Sequence, residues 1–258
     1  MSILLTKDYG ASRVITLNRP DVRNALNTEL RDALYDAFVA SANDNTVRVV
    51  ILTGAGKVFC AGLDLKGLKS ISAKSPEENL ADSEALARLF EYIYKFPKPV
   101  IAALNGHAIA GGAGLASIAD IVVMSEDAKL GYTEARIGFV AALVGVFLVR
   151  QVGEKQAKEL LLSARLIEAQ EAKDMALVNE VVASEKVLKR SLEIAETLSQ
   201  NSPNSLKLSK ELLNKVQDMT VEDGLRFAIK MNAESRESAD LKEGISAFLE
   251  KRKPGWQR

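Results

Sequence analysis

Cysteine occurs once in this 258-residue chain, at Cys60, and histidine once, at His107. A single cysteine excludes an intrachain disulfide framework and fits a reducing compartment. One His and one Cys cannot assemble a His/Cys zinc site, and the carboxylates show no EF-hand-like spacing, so no metal is expected. Ser–His nucleophilic catalysis would have to use His107, yet no G-x-S-x-G elbow accompanies it. A packed or pocket-lining role is expected for that ring instead. An excess of one charge is also lacking, since 34 Lys and Arg face 34 Asp and Glu. That balance leaves no electrostatic footprint for nucleic acid or an anionic membrane. No uncharged apolar window reaches the roughly 18 residues of a membrane span. The stretch Met1 to Asp8 lacks a basic segment followed by a long apolar run, so a cytoplasmic protein is expected.

What is present is the material of a packed core: 47% apolar and 26% charged residues. This suffices for one large domain, or a core with a small appendage. Arg13 to Leu17 reads as a strand by its β-branched content, and Asn18-Arg19-Pro20-Asp21 ends it with turn chemistry. Asn27 suits a helix N-cap, with Glu29 in the first turn and Leu30, Leu34, Ala37 and Phe38 at helical spacing. Val47 to Thr53 is a nearly continuous apolar run, the pattern of a strand buried on both faces.

A loop over residues 54–67 and a polar stretch over 69–79 lead to a helix running to about Phe96. Pro97 and Pro99 then precede a strand at Val100 to Leu104. After the Asn105-Gly106 turn come the small residues Ala110 to Ala116, and then a buried strand at Asp120 to Met124. Strand and helix in alternation imply an α/β core with crossover connections. From about Gln151 the chain reads as helical, with runs at 154–163, 168–176, 185–200, 203–217, 221–235 and 239–252. Leu177 to Val182 is read as a strand among them. The last helices are too amphipathic to stand alone, so they are expected to pack on the core or on another subunit.

Two glycine-containing turns carry the chemistry. Phe59-Cys60-Ala61-Gly62-Leu63-Asp64-Leu65 follows the strand ending at Thr53, and His107-Ala108-Ile109-Ala110-Gly111-Gly112-Ala113-Gly114 follows the strand ending at Leu104. Glycine lets a ligand approach the backbone closely. The second segment also opens a helix, whose N-terminal N–H groups and dipole favour an anion. Two such N–H groups on one carbonyl oxygen form an oxyanion hole, in which each donor is worth about 2.7–4 kcal/mol of barrier.

Six stretches, in order, resemble the enoyl-CoA hydratase/isomerase, or crotonase, superfamily over nearly the full length. They are Leu17-Asn18-Arg19-Pro20…Asn24-Ala25-Leu26, Val50 to Gly54, Phe59 to Leu65, Lys98 to Gly106, Ala110 to Ala116 with Asp120, and Gly131-Tyr132-Thr133-Glu134…Ile137-Gly138. The resemblance implies an α/β spiral of β-β-α turns over residues 1–195 and a helical C-terminal region over 196–258 that builds a trimer or a dimer of trimers. It implies that the N–H groups of Leu63 and Gly111 bind the thioester oxygen of an acyl-CoA and stabilise its enolate. Ala25, Ala61, Gly62, Asp64, Gly112 and Gly114 are implied around the thioester. Arg23 resembles a contact for the CoA phosphates, and Phe248 and Lys251 resemble residues reaching the nucleotide from a neighbouring subunit. Coenzyme A is then part of the substrate, and no separate cofactor is implied.

One position departs from the pattern. Hydratases of this family carry two catalytic glutamates, and here one is Glu134 while the other is replaced by Gly114. Hydration divides base and acid work between two carboxylates, each worth about 10²–10⁴-fold. Moving a proton between the α- and γ-carbons of a 3-enoyl thioester needs only one. Three readings follow: an enoyl-CoA hydratase, a 3,2-enoyl-CoA isomerase with Glu134 as proton shuttle, or an acyl-CoA-binding protein without turnover. A loop carboxylate (Asp64, Glu77, Glu78 or Glu84) is a candidate replacement acid, although Asp64 at that position more often orders the loop. An apolar pocket is expected to raise the pKa of Glu134. Cys60 is expected to pack as a small apolar residue. Residues 66–90 are expected to form the lid over the acyl chain.

Overall fold

The computed structural model describes residues 2–64, 67, 69–70 and 73–257. Part of the expected lid, at 66, 68 and 71–72, lies outside the described residues, as do Met1, Leu65 and Arg258.

Two sheets organise the chain. The first has six strands in the order β1 (Leu4–Tyr9), β2 (Ser12–Leu17), β3 (Val49–Gly54), β5 (Val100–Leu104), β7 (Ile121–Ser125) and β10 (Glu180–Val182). β1 and β2 pair antiparallel, and every later neighbour is parallel. The second sheet orders β4 (Val58–Cys60), β6 (His107–Ile109), β8 (Lys129–Gly131) and β9 (Ile167–Glu168), parallel except for the last pair. After the β1–β2 hairpin and α1, three successive turns each lay one strand in the first sheet (β3, β5, β7) and a shorter one in the second (β4, β6, β8) before the next helix. This is the expected spiral of β-β-α turns.

The helices are α1 (Thr28–Asn43), α2 (Pro76–Tyr94), α3 (Gly111–Ser117), α4 (Ala142–Ser163), α5 (Ala169–Asp174), α6 (Val187–Ser199), α7 (Pro203–Val216), α8 (Val221–Glu237) and α9 (Ala239–Leu249). Asn27 caps α1 as expected, its side chain accepting from the Leu30 N–H at 2.9 Å. α2 begins at Pro76 because Ser75 and Glu78 form a reciprocal capping box.

β3 is buried along its whole length, and its two faces enter different cores. Val50 and Leu52 join the main core with Leu30, Leu34 and Phe38 of α1. Val49 and Ile51 pack under α6 through Val187 and Ala195. This double burial is why the strand reads as an unbroken apolar run.

Several strands differ from the sequence reading. β1 has no counterpart in it, because one residue is half-buried and the other five are exposed, which leaves no alternation to detect. β4 overlaps and β6 opens the two segments that read as glycine turns, and β8 falls where no element was expected. Three residues are too few to establish a period. His107 is exposed rather than packed or pocket-lining, and its Nδ1 accepts the Lys129 N–H at 3.0 Å.

The C-terminal helices pack on one another yet keep an apolar stripe outward. α8 has no buried residue, and Val221, Leu225 and Ile229 recur four apart on its exposed surface. Among the described residues no helix is long and apolar enough to cross a membrane, and no cluster of His, Cys, Asp or Glu could hold a metal ion.

Candidate active site

The Leu63 donor is presented by a small parallel bridge. Leu26 donates to the Gly62 carbonyl at 2.7 Å and accepts from the Asp64 N–H at 3.0 Å. A residue between those two bonds turns its own N–H to the opposite side. Leu63 therefore aims its N–H away from Leu26, and no acceptor meets it among the described residues.

The segment carrying Leu26 is itself anchored. Asn24 is fully buried in a left-handed conformation (φ 56°). Its side chain accepts from the Arg19 N–H and donates to the carbonyls of Ala55 and Val58 at 2.9 and 2.7 Å. The Arg19 guanidinium then spans the bridge, donating to the Ala25 carbonyl and, at 2.8 Å, to the Asp64 carboxylate.

The second donor opens α3. Ala110 adopts φ 52°, ψ −121°, a conformation that strains a residue with a Cβ. Its N–H is held by the Gly131 carbonyl of β8 at 2.7 Å. The turn leaves the Gly111 N–H as an orphan at the first helical position. Gly62, at φ 87°, packs directly on this turn: a Cβ there would lie 2.8 Å from the Ala110 Cβ and 3.3 Å from the Gly111 nitrogen. The two donor segments touch through this glycine.

Both donors line one cavity of about 680 Å³, within the usual range for small-molecule sites. Its walls are mainly apolar, from Leu26, Leu63, Leu86, Phe90, Leu143 and Val144. A polar end near the start of α1 and α2 carries the Arg31–Asp82 ion pair at 2.8 Å.

Glu134 enters the same cavity from a 3₁₀ turn, Glu134–Ile137, just after β8. Tyr132, two residues before Glu134, is fully buried and hydrogen-bonded to Ser117 at 2.7 Å, which pins this segment to α3. Glu134 is 9% exposed, and its Oε2 is buried without a hydrogen-bond partner among the described residues. Loss of solvation raises its pKa, opposed in part by a hydrogen bond from its own backbone N–H. An unpartnered buried carboxylate costs folding free energy unless a ligand uses it.

A family model of enoyl-CoA hydratase/isomerase matches residues 9–258. The chain belongs to that family. A Thermus thermophilus relative, provisionally assigned as an enoyl-CoA hydratase, is 52% identical over 96% of this chain and 98% of its own length. An Escherichia coli 2,3-dehydroadipyl-CoA hydratase is 34% identical, covering 100% of this chain and 99% of its own. The crystal structure of an enoyl-CoA hydratase from Shewanella pealeana superposes with a TM-score of 0.95 at 28% identity, over 99% of this chain and 96% of the other.

Within this family member, the cavity gathers Ala61, Leu63, Asp64, Gly111 and Glu134. Gly62 lies immediately behind them. The other implied residues do not line it. Ala25 is buried with its carbonyl bound to Arg19. Gly112 is a packing glycine, since a Cβ there would lie 2.2 Å from the Cys60 carbonyl oxygen. Gly114 is screened by Phe90 and Val144. Arg23 is exposed at the surface, although its carbonyl accepts the N–H of cavity-lining Ala61 at 3.1 Å. Phe248, 82% exposed, and Lys251 stand outside the cavity lining.

Among the candidate replacement acids, Glu77, Glu78 and Glu84 are exposed and absent from the lining. Asp64 lines the cavity but is paired with Arg19, and Asp82 is paired with Arg31. Cys60 is fully buried, which pushes its thiol up to about 12. No role in the site was legible in the sequence for Arg19, Phe90 or Val144. Arg19 stands in the Asn-Arg-Pro motif, but only the fold shows that it reaches Asp64, 45 residues away.

Proposed function

We propose that this chain is a lyase of the enoyl-CoA hydratase type, adding water to a 2-enoyl-CoA or removing it from a 3-hydroxyacyl-CoA. The observation that carries this reading is the buried Glu134 carboxylate, whose Oε2 has no hydrogen-bond partner among the described residues, at a cavity also lined by Leu63 and Gly111 with their free N–H groups. The thioester oxygen sits between these two donors, which strengthen their hold as negative charge develops there. Glu134 takes a proton from water as the oxygen adds to the β-carbon, then returns it to the α-carbon of the enolate. A carboxyl with a raised pKa suits a group that must both take and give a proton. No cofactor beyond the substrate's own coenzyme A enters these steps.

A second reading, 3,2-enoyl-CoA isomerisation, is favoured by the surroundings of Gly114. The cavity offers no second unpaired carboxylate among its described lining residues. Glu134 alone would move a proton from the α- to the γ-carbon across a dienolate held in the same hole. Arg23, beside Ala61, would meet the CoA phosphates at the cavity edge. Phe248 and Lys251 would act from a neighbouring copy in a trimer or dimer of trimers, which the outward stripe of α8 supports. The buried free thiol of Cys60 supports a cytoplasmic setting.

Assays with crotonyl-CoA and, separately, a 3-enoyl-CoA test the reading. Loss of the conjugated enoyl absorbance marks hydration, and its appearance marks the double-bond shift. Tight binding of acyl-CoA with turnover of neither substrate would instead mark a binding protein and refute both catalytic readings.

A further inference from the structure

Gly111 and Gly114 lie three residues apart on α3, hence on one helix face about 5 Å apart. A Cβ at Gly114 would lie 2.6 Å from Val144 Cγ2 and 2.9 Å from Phe90 Cε2. Phe90 comes from α2 and Val144 from α4, both are buried, and both line the cavity while Gly114 does not. Hydrocarbon from two separate elements therefore fills the space one helical turn from the Gly111 donor. An ordered water needs two to four polar partners. Neither side chain offers one, and the Gly114 N–H is already donated to the Ala110 carbonyl at 2.9 Å.

We infer that Phe90 and Val144 are specificity-determining residues that restrain hydration relative to the double-bond shift, by denying water a site beside Gly114. The inference rests on the enoyl-CoA reading above. In hydration, a water oxygen bonds to the β-carbon, the C=C π pair moves toward the thioester oxygen, and the proton released is delivered to the α-carbon. In the double-bond shift, the α-proton leaves to Glu134, the double bond moves from C3–C4 to C2–C3, and a proton returns at C4. Both pass through an oxyanion at Leu63 and Gly111, so the wall at Gly114 bears on the step that involves water and leaves the shared hole alone.

The test compares Val144→Thr, which keeps the volume and adds a hydroxyl, with Val144→Ala, which opens space. For each preparation, kcat/KM is measured for hydration of a 2-enoyl-CoA and for isomerisation of the matching 3-enoyl-CoA. Their ratio is independent of the folded fraction. It is expected to rise about three- to tenfold in Val144→Thr, the worth of one added hydrogen bond to the attacking water. A smaller rise is expected in Val144→Ala. An unchanged ratio in both variants overturns the inference, and so does a wild-type protein that hydrates with no measurable double-bond shift. Turnover of neither thioester by the wild type overturns the enoyl-CoA reading itself and the inference with it.

Discussion

Replacing Glu134 by Gln should make the protein less active and more stable at the same time. The Oε2 atom is buried with no hydrogen-bond partner among the described residues, and desolvation raises the carboxyl pKa above its ordinary 4.5. Below that ordinary value the group is neutral in both the folded and unfolded chain, and its ionisation costs nothing. As pH rises through the raised folded value, the unfolded chain sheds its proton more readily, so stability is lost. A group left buried and unsatisfied costs about 1–3 kcal/mol, and Gln, neutral at every pH, removes the ionisation part of that cost. For a chain of this size each kcal/mol moves Tm by about 2–4 °C. Thermal unfolding of both proteins from pH 4 to pH 8 should therefore show the Glu134→Gln variant ahead by a few degrees near pH 8, with the gap closing toward pH 4. Turnover should fall by about 10²–10⁴-fold while acyl-CoA binding survives. A gap that does not change with pH, or undiminished turnover, would refute the reasoning.

Arg19→Met removes the clamp across the Leu26–Leu63 bridge and leaves the Asp64 carboxylate, 10% exposed, without that cation. Unfolding should be easier by up to about 3 kcal/mol, and kcat should fall more than KM rises, because the Leu63 donor is misplaced; steady-state kinetics with intact kcat would count against the clamp. Leu225→Glu with Ile229→Glu puts two charges on the outward stripe of α8. Light scattering should then show the assembly broken to single chains, and a wild type that is itself monomeric would sink the oligomer proposal.

The strands β2, β3, β5, β7 and β10 of the first sheet, the cap at Asn27 and the double burial of β3 were legible in the sequence, because each is a local or periodic property of neighbouring residues. The motif order also singled out the two glycine segments and Glu134, since close backbone approach and a lone retained carboxylate are written in residue types. The second sheet was not legible, because three-residue strands such as β6 are stabilised by partners distant in the chain.

The residues that surround the chemistry were decided by tertiary structure alone. Arg19 meets Asp64 across 45 positions, and Phe90 and Val144 converge from two helices on the space at Gly114. Gly112 and Gly114 look alike in sequence, yet one excludes a Cβ against the backbone of Cys60 and the other against two side chains. Sequence by itself determined which groups could hold and move a proton. Which of them remain unpaired, and which walls exclude water, depends on packing between distant segments, and that distance in the chain is why only the folded structure decided it.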